Sequence, residues 1–174
     1  MVSGQCYWLT PIPSPVFHIS ITNVQTAHPI EDNRLEAAVR AILKGERVRS
    51  AKVSVAIVDD ATIHRLNREY LQHDESTDVL SFVLEKNEST LEGEVVVSVD
   101  TAAATAARFG WATADELLLY TVHGTLHLLG YDDQTPVTLR EMRERERHYL
   151  LAFGLTPRYD EVVQTAAVQG VSCS

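Results

Sequence analysis

The segment from Thr113 to Gly130 places the strongest constraint on how this chain folds. It reads TADELLLYTVHGTLHLLG and is apolar on most sides of a helix. A helix with that pattern packs inside a layered domain and not on its surface. Thr113 and Glu116 fit a T-x-x-E capping box at its start, and Gly130 is the residue type expected just beyond its end. The sequence therefore predicts a buried helix over residues 113–129.

Strand-like and helix-like patterns alternate along the rest of the chain. Short β-branched or alternating runs predict strands at residues 16–22, 52–57, 77–84 and 94–99, and the last is nearly all valine and so central in a sheet. Further helices are predicted near residues 29–45, 60–70, 100–110 and 137–153. Their expected starts are Pro29, a cap at Asp59 or Asp60, and a cap at Asp100. This order of elements predicts a single α/β domain.

The composition fits one globular domain with a real core. The chain has 174 residues, of which 45% are hydrophobic and 22% charged. We expect an irregular lead-in over residues 1–15, one folded domain over 16–160 and a loose tail over 161–174. No apolar run approaches the ~20 residues that span a bilayer, no secretory signal is visible, and Cys6 and Cys173 lie at opposite ends. We therefore expect a cytoplasmic protein without a membrane partner.

The net charge of −9 bears on nucleic-acid binding. A globally acidic surface argues against wrapping nucleic acid without sequence preference, because basic patches supply that affinity. It leaves room for a small basic groove beside a metal ion.

The predicted buried helix also carries the chemistry. His123 and His127 are four residues apart, so their imidazoles lie one turn apart on one side. Beyond Gly130, Asp133 completes an H-x3-H-x5-D spacing that can supply three metal ligands and leave a fourth position open. A histidine pair satisfied within the core is the alternative. We favour the metal site, since two buried imidazoles on so apolar a helix need polar partners.

The residue after the first histidine separates two kinds of metal enzyme. Zinc proteases of the H-E-x-x-H type place a general base there, whereas this chain has Gly124. Activation of water by the metal itself suits phosphodiester hydrolysis, because the metal also offsets charge on the phosphoryl oxygens.

The segment HGTLHLLGYDD resembles the signature H-G-x-L-H-L-x-G-Y-D-H of the YbeY-type endoribonucleases. Support comes from four further segments in the right order over roughly residues 50–155, which resemble L-N-x-x-Y-R, P-T-D-V-L-S-F, G-D-I-x-I-S and M-x-x-x-E. They are Leu66–Tyr70, Thr77–Phe82, Gly93–Ser98, and Met142 with Glu146.

The resemblance implies a compact α/β (α+β) domain, with a small mixed four-stranded sheet and about five surrounding helices. It also implies a metal-dependent, single-strand-specific endoribonuclease that matures ribosomal RNA, notably at the small-subunit 3′ end, and acts in ribosome quality control. The expected partners are single-stranded RNA, rRNA and small-subunit ribosomal proteins. Zinc is the expected cofactor, bound by the residues that align with the family's three histidines.

Two positions depart from the family pattern. Asp133 replaces the third histidine, and its harder oxygen ligand loosens selectivity toward Mn²⁺ or Fe²⁺. Asp132 has the family's own Asp position and is the rival third ligand. Leu71 stands where the family has an Arg, and Arg68, three residues earlier, is our candidate substrate-binding residue in its place.

Two alternatives to a nuclease stay open at this point. One is a zinc peptidase whose general base comes from elsewhere in the chain. The other is a ribosome-associated binding protein whose site has lost activity, as the changes at Asp133 and Leu71 suggest. The sequence identifies neither a general acid nor a general base.

Overall fold

A four-stranded mixed sheet organises the computed structural model, which describes residues 14–72, 74, 77–88 and 90–159. The strands are β1 (Val16–Asn23), β2 (Ser50–Val58), β3 (Val79–Lys86) and β4 (Thr90–Ser98), in the order β1-β2-β4-β3. β1, β2 and β4 are parallel, and β3 runs antiparallel to β4. The valine-rich strand therefore lies inside the sheet, as its composition predicted.

Five α-helices surround this sheet in the described part of the chain. They are α1 (Asp32–Gly45), α2 (Asp60–Leu66), α3 (Val99–Phe109), α4 (Thr113–Leu129) and α5 (Pro136–Leu151). A π-helical turn, Asn67–Leu71, follows α2 directly. These elements confirm the predicted α/β (α+β) class, the mixed four-stranded sheet and the buried central helix.

The alternation of side chains along β2 and β4 divides the core in two. Val53, Val55 and Val95 point into the main cluster with α1, α4 and α5. Val58 and Val96 point to the other face, into a smaller cluster that includes α2. The sheet thus supports α4 from one side, and α4 buries most of its residues there.

Two predicted helix starts are wrong. Pro29 lies before α1, which begins at Asp32 after Glu31. α3 is capped by Ser98, whose hydroxyl accepts from the Thr101 N–H, and not by Asp100. Asp59 does cap α2, through Thr62 N–H at 2.8 Å.

The capping box predicted at the start of α4 is also wrong. Ala112 is the N-cap, and no side chain caps this helix. Thr113 is already helical, and Glu116 is a buried residue of the helix interior. Glu116 does not cap the helix and instead lines a cleft, which is described below.

The predicted termini lie largely outside the described residues. Residues 1–13 of the lead-in and the whole of the tail, 161–174, are not described. Across the described ranges, no helix is both long and apolar enough to cross a membrane.

Candidate metal centre

α4 brings two imidazoles together, as the four-residue spacing predicts. The Nε2 atoms of His123 and His127 are 2.9 Å apart. Their ring centroids are 4.5 Å apart, and the ring planes are nearly perpendicular. The two rings therefore present nitrogen atoms to one common point.

The third predicted ligand reaches the same point because the chain turns sharply after α4. Gly130 adopts a left-handed conformation with φ of 97°, which favours glycine. The N–H of Tyr131 then donates back into the last turn of the helix. Asp133 Oδ2 consequently lies 3.6 Å from His123 Nε2, and Oδ1 lies 3.9 Å from His127 Nε2.

The donor atoms of these three residues all lie within 4.8 Å of one another, and the group is partly buried. Asp132 is not among them. Its Oδ1 instead accepts from the N–H of Asp133 at 2.9 Å. Asp132 thereby holds the loop that presents Asp133.

Hydrogen bonds fix how both imidazoles face the centre. His123 Nδ1 lies 2.6 Å from Glu146 Oε1, and His127 Nδ1 lies 2.9 Å from the carbonyl of Tyr131. An ionised carboxylate and a carbonyl accept hydrogen bonds and donate none, so each Nδ1 carries the proton. In neutral rings both Nε2 lone pairs then face each other, and they repel unless a proton or a cation lies between them. This donor set fits a divalent metal ion, with outer partners of the kind that orient metal-bound histidines.

The pKa values of the two histidines are shifted in opposite directions. Burial lowers the pKa of His123, but the hydrogen bond and charge of Glu146, with the charges of Asp78 and Asp133, raise that pKa above its usual value overall. Burial and the charge of His123 lower the pKa of His127. One protonated ring beside one neutral ring satisfies the 2.9 Å contact when no metal is bound.

Two residues of this centre carried no assigned role in the sequence analysis. Glu146 is 3% exposed, and only the resemblance to an M-x-x-x-E helix drew attention to it. Asp78 borders the centre from the start of β3, where its Oδ1 accepts from the N–H of Val79 at 2.9 Å. Both residues are far from α4 in the sequence, so local spacing could not predict that they lie at this centre.

Two clefts meet at His123. The larger has a volume of about 660 Å³ and the smaller about 540 Å³. Thr77, Asp78, His123 and Asp133 line both. The candidate metal centre thus lies along a continuous groove and not at the end of a closed pocket.

The larger cleft contains three arginines as well as the acidic residues of the centre. Its arginines come from three separate segments: Arg108 from α3, Arg143 from α5 and Arg158 from the residues after α5. Arg68 is an exposed residue of the π-helical turn and is not among the described residues that line either cleft. Its substrate-binding role stays a prediction, and the side chain of Leu71 lies outside the described part.

Glu116 lines the same cleft as a buried acid. It is 2% exposed, and its Oε2 has no hydrogen-bond partner among the described residues. Burial raises the pKa of Glu116 to about 7, against the hydrogen bond from Tyr120 and together with the charge of Asp78. This carboxyl therefore keeps its proton to a higher pH than an ordinary glutamate does.

No side chain fits at position 124. A Cβ atom there would lie 2.5 Å from Val95 Cγ1 and 2.8 Å from Val79 Cγ2, well inside normal contact distance. Gly124 also accepts a hydrogen bond from Ser81 Oγ through its carbonyl at 3.0 Å. The Glu of an H-E-x-x-H protease site has no room in this helix-on-sheet packing.

Comparison with known proteins agrees with this geometry. The model of the family described as "Endoribonuclease YbeY" matches residues 20–154. The chain belongs to this YbeY family. The resemblance inferred from HGTLHLLGYDD is thereby confirmed, and it extends from the middle of β1 to just beyond α5.

Individual YbeY relatives support the assignment. A protein named "Endoribonuclease YbeY" from Rhodopirellula baltica is 46% identical over 121 residues, which are 67% of this chain and 62% of that protein. One of the same name from Carboxydothermus hydrogenoformans is 42% identical over 139 residues, 78% of this chain and 96% of that protein. The chain thus spans less than two thirds of the first relative and nearly all of the second.

A solved structure shares the fold. The solution structure of TM1509 from Thermotoga maritima superposes with a TM-score of 0.55 and is 24% identical, covering 78% of this chain and 91% of that one. At that identity the likeness supports the fold alone.

Proposed function

We propose that this chain is a metal-dependent, single-strand-specific endoribonuclease that acts in the cytoplasm on ribosomal RNA. Its role would be maturation of the small-subunit 3′ end and ribosome quality control, with small-subunit ribosomal proteins as partners. The observation that carries the proposal is the convergence of His123, His127 and Asp133, each within coordinating reach of one point. Membership of a family named for endoribonuclease activity supplies the reaction class.

Zinc is the metal we propose for this centre, with Mn²⁺ or Fe²⁺ as the alternatives that an aspartate ligand admits. Two imidazoles and one carboxylate form a three-ligand set typical of catalytic metal sites. A metal ion held there would supply Lewis-acid activation of water and would offset charge on the phosphodiester.

The protein's own residues do the positioning. Glu146 and the Tyr131 carbonyl hold the protons of His123 and His127 on Nδ1, which keeps both Nε2 atoms free to bind. The larger cleft is lined by three arginines, Arg108, Arg143 and Arg158. Their guanidinium groups would bind the phosphates of the RNA.

A substrate comparison tests the proposed reaction. We expect the zinc-loaded wild-type protein to cleave a single-stranded RNA internally, to leave the same sequence intact as a duplex, and to leave casein intact. Treatment with a chelator should abolish cleavage, and added metal should restore it. Gel analysis of labelled RNA measures cleavage of both RNA substrates and the chelator effect, and a protein gel measures cleavage of casein.

Two outcomes would favour other functions. Cleavage of casein would support the peptidase whose general base comes from elsewhere in the chain, since the packing around Gly124 leaves no room for a Glu base there. Absence of RNA cleavage by wild type, with activity gained in Asp133→His/Leu71→Arg, would support a binding protein with a decayed site.

Substituting the arginines tests where RNA binds. Because Arg108 lines the cleft at the candidate metal centre, we expect Arg108→Gln to weaken RNA binding several-fold and to reduce the slope of log K against log salt by about 1. Arg68→Gln makes the same change at an exposed residue outside both clefts. Fluorescence anisotropy at several salt concentrations measures both variants. Loss of affinity in Arg108→Gln alone would overturn the substrate role predicted for Arg68, whereas unchanged binding in Arg108→Gln would contradict the cleft assignment.

A further inference from the structure

The chain returns to the candidate metal centre after the family match ends. The matched residues stop at 154, but the structure continues to Tyr159. Leu155 and Tyr159 pack against the main core, and Pro157 is buried. This short segment therefore belongs to the folded domain and lines the larger cleft beside His123.

Tyr159 contacts the centre through one buried acid. Its hydroxyl donates to Glu146 Oε2 at 2.5 Å, while Glu146 Oε1 holds His123 Nδ1 at 2.6 Å. Both carboxylate oxygens thus have a partner, which a buried charge requires. Without the Tyr159 hydroxyl, Glu146 Oε2 would lose this hydrogen bond. The carboxylate would then be free to rotate away from His123.

The surroundings of Tyr159 hold the ring in place. The guanidinium of Arg143 lies 4.5 Å from the ring centroid, within the range of a cation–π contact. Burial and the charge of Glu146 raise the pKa of the Tyr159 phenol, so the hydroxyl keeps its proton and remains a donor at neutral pH.

We propose that Tyr159 is a positioning residue of the metal centre, whose hydroxyl fixes Glu146 and thereby the orientation of His123. The proposal rests on the metal ligands proposed above. It predicts that a residue beyond the family match sets part of the metal affinity of this chain, because outer hydrogen-bond partners orient the ligands and raise their basicity.

Tyr159→Phe tests this role by removing the hydroxyl and keeping the ring. We expect the zinc dissociation constant, measured by competition with a chromophoric chelator, to increase about tenfold. We also expect the visible absorption of the cobalt(II)-loaded protein to change in position or intensity, since it reports ligand geometry. A merely structural hydroxyl would change neither of these.

Tyr149→Phe is the matched control. Tyr149 also donates its hydroxyl to a glutamate, Glu46 Oε1, at 2.7 Å, and the residue is 5% exposed. We expect it to lower the melting temperature of the metal-free protein as Tyr159→Phe does, with unchanged zinc affinity and cobalt spectrum. Unchanged affinity and spectrum in Tyr159→Phe, with tight binding in wild type, would overturn the positioning role alone. Failure of the wild type to bind zinc or cobalt would overturn the metal centre as well.

Discussion

Replacing His123 with alanine should remove bound metal and reduce metal-dependent RNA cleavage by about 1,000-fold, since a catalytic metal ion contributes several kcal/mol and each 1.36 kcal/mol is a factor of ten. The change deletes one of the three converging donors. It also leaves the buried carboxylate of Glu146 without its Nδ1 partner, so the variant should lose stability too. Elemental analysis of the purified protein and initial cleavage rates measure the two main effects.

His127→Ala separates the loss of metal and of cleavage from the loss of stability. Among the described residues, His127 Nδ1 pairs with the Tyr131 carbonyl, so loss of this imidazole leaves no buried carboxylate there without its partner. We expect the same loss of metal and cleavage with a smaller fall in melting temperature, whereas His148→Ala, at an exposed histidine on α5, should behave as wild type. A His127→Ala protein that keeps its metal and its full rate would refute the ligand assignment.

Comparing Asp133→Ala with Asp132→Ala identifies which aspartate is the third metal ligand. Asp133 carries the converging oxygens, and Asp132 binds a backbone N–H in the same loop. We expect Asp133→Ala to weaken metal binding far more than Asp132→Ala. The reverse order would restore Asp132 as the ligand.

Glu116→Gln should change how the stability of this protein depends on pH. The pKa of Glu116 rises from 4.5 to about 7 on folding. Between these values the unfolded chain releases a proton that the folded protein retains, so the free energy of unfolding decreases as pH rises and levels off above about pH 7. The penalty at alkaline pH is roughly 3 kcal/mol, since each unit of pKa shift corresponds to 1.36 kcal/mol.

Glutamine keeps the size of this side chain and cannot ionise. Relative to wild type, we expect the free energy of unfolding of Glu116→Gln to increase by roughly 2.5 kcal/mol between pH 5 and pH 8, measured by urea unfolding at both. Glu141→Gln, at an exposed residue of α5, shows how much of the change follows from removing any one carboxyl. Equal differences at both pH values in Glu116→Gln would mean that the carboxyl is not held neutral by burial.

Local patterns predicted which side chains of the candidate site come together. Helical spacing places His123 and His127 on one side whatever else the chain does, and a helix-ending Gly130 returns the next acid to them. In the structure the donor atoms of His123, His127 and Asp133 lie within 4.8 Å of one another, and their role as metal ligands stays a prediction.

Local patterns could not predict contacts between residues that are far apart in the sequence. Glu146 meets His123 from 23 residues away, and Tyr159 meets Glu146 from the segment after α5. Glu116 illustrates the opposite error, because a local spacing suggested a cap where the tertiary fold buries the acid. Pairings of this kind depend on how α4 and α5 pack, which no short motif encodes.

The bare backbone at Gly124 also restricts how this site can evolve. An acidic base at that position would require smaller residues at positions 79 and 95 together with the substitution itself, because both valines occupy the space. Each single change on that route either overlaps atoms or opens a void under the helix, and both are destabilising. A descendant of this protein therefore has no single-step path to the H-E-x-x-H arrangement of the peptidases.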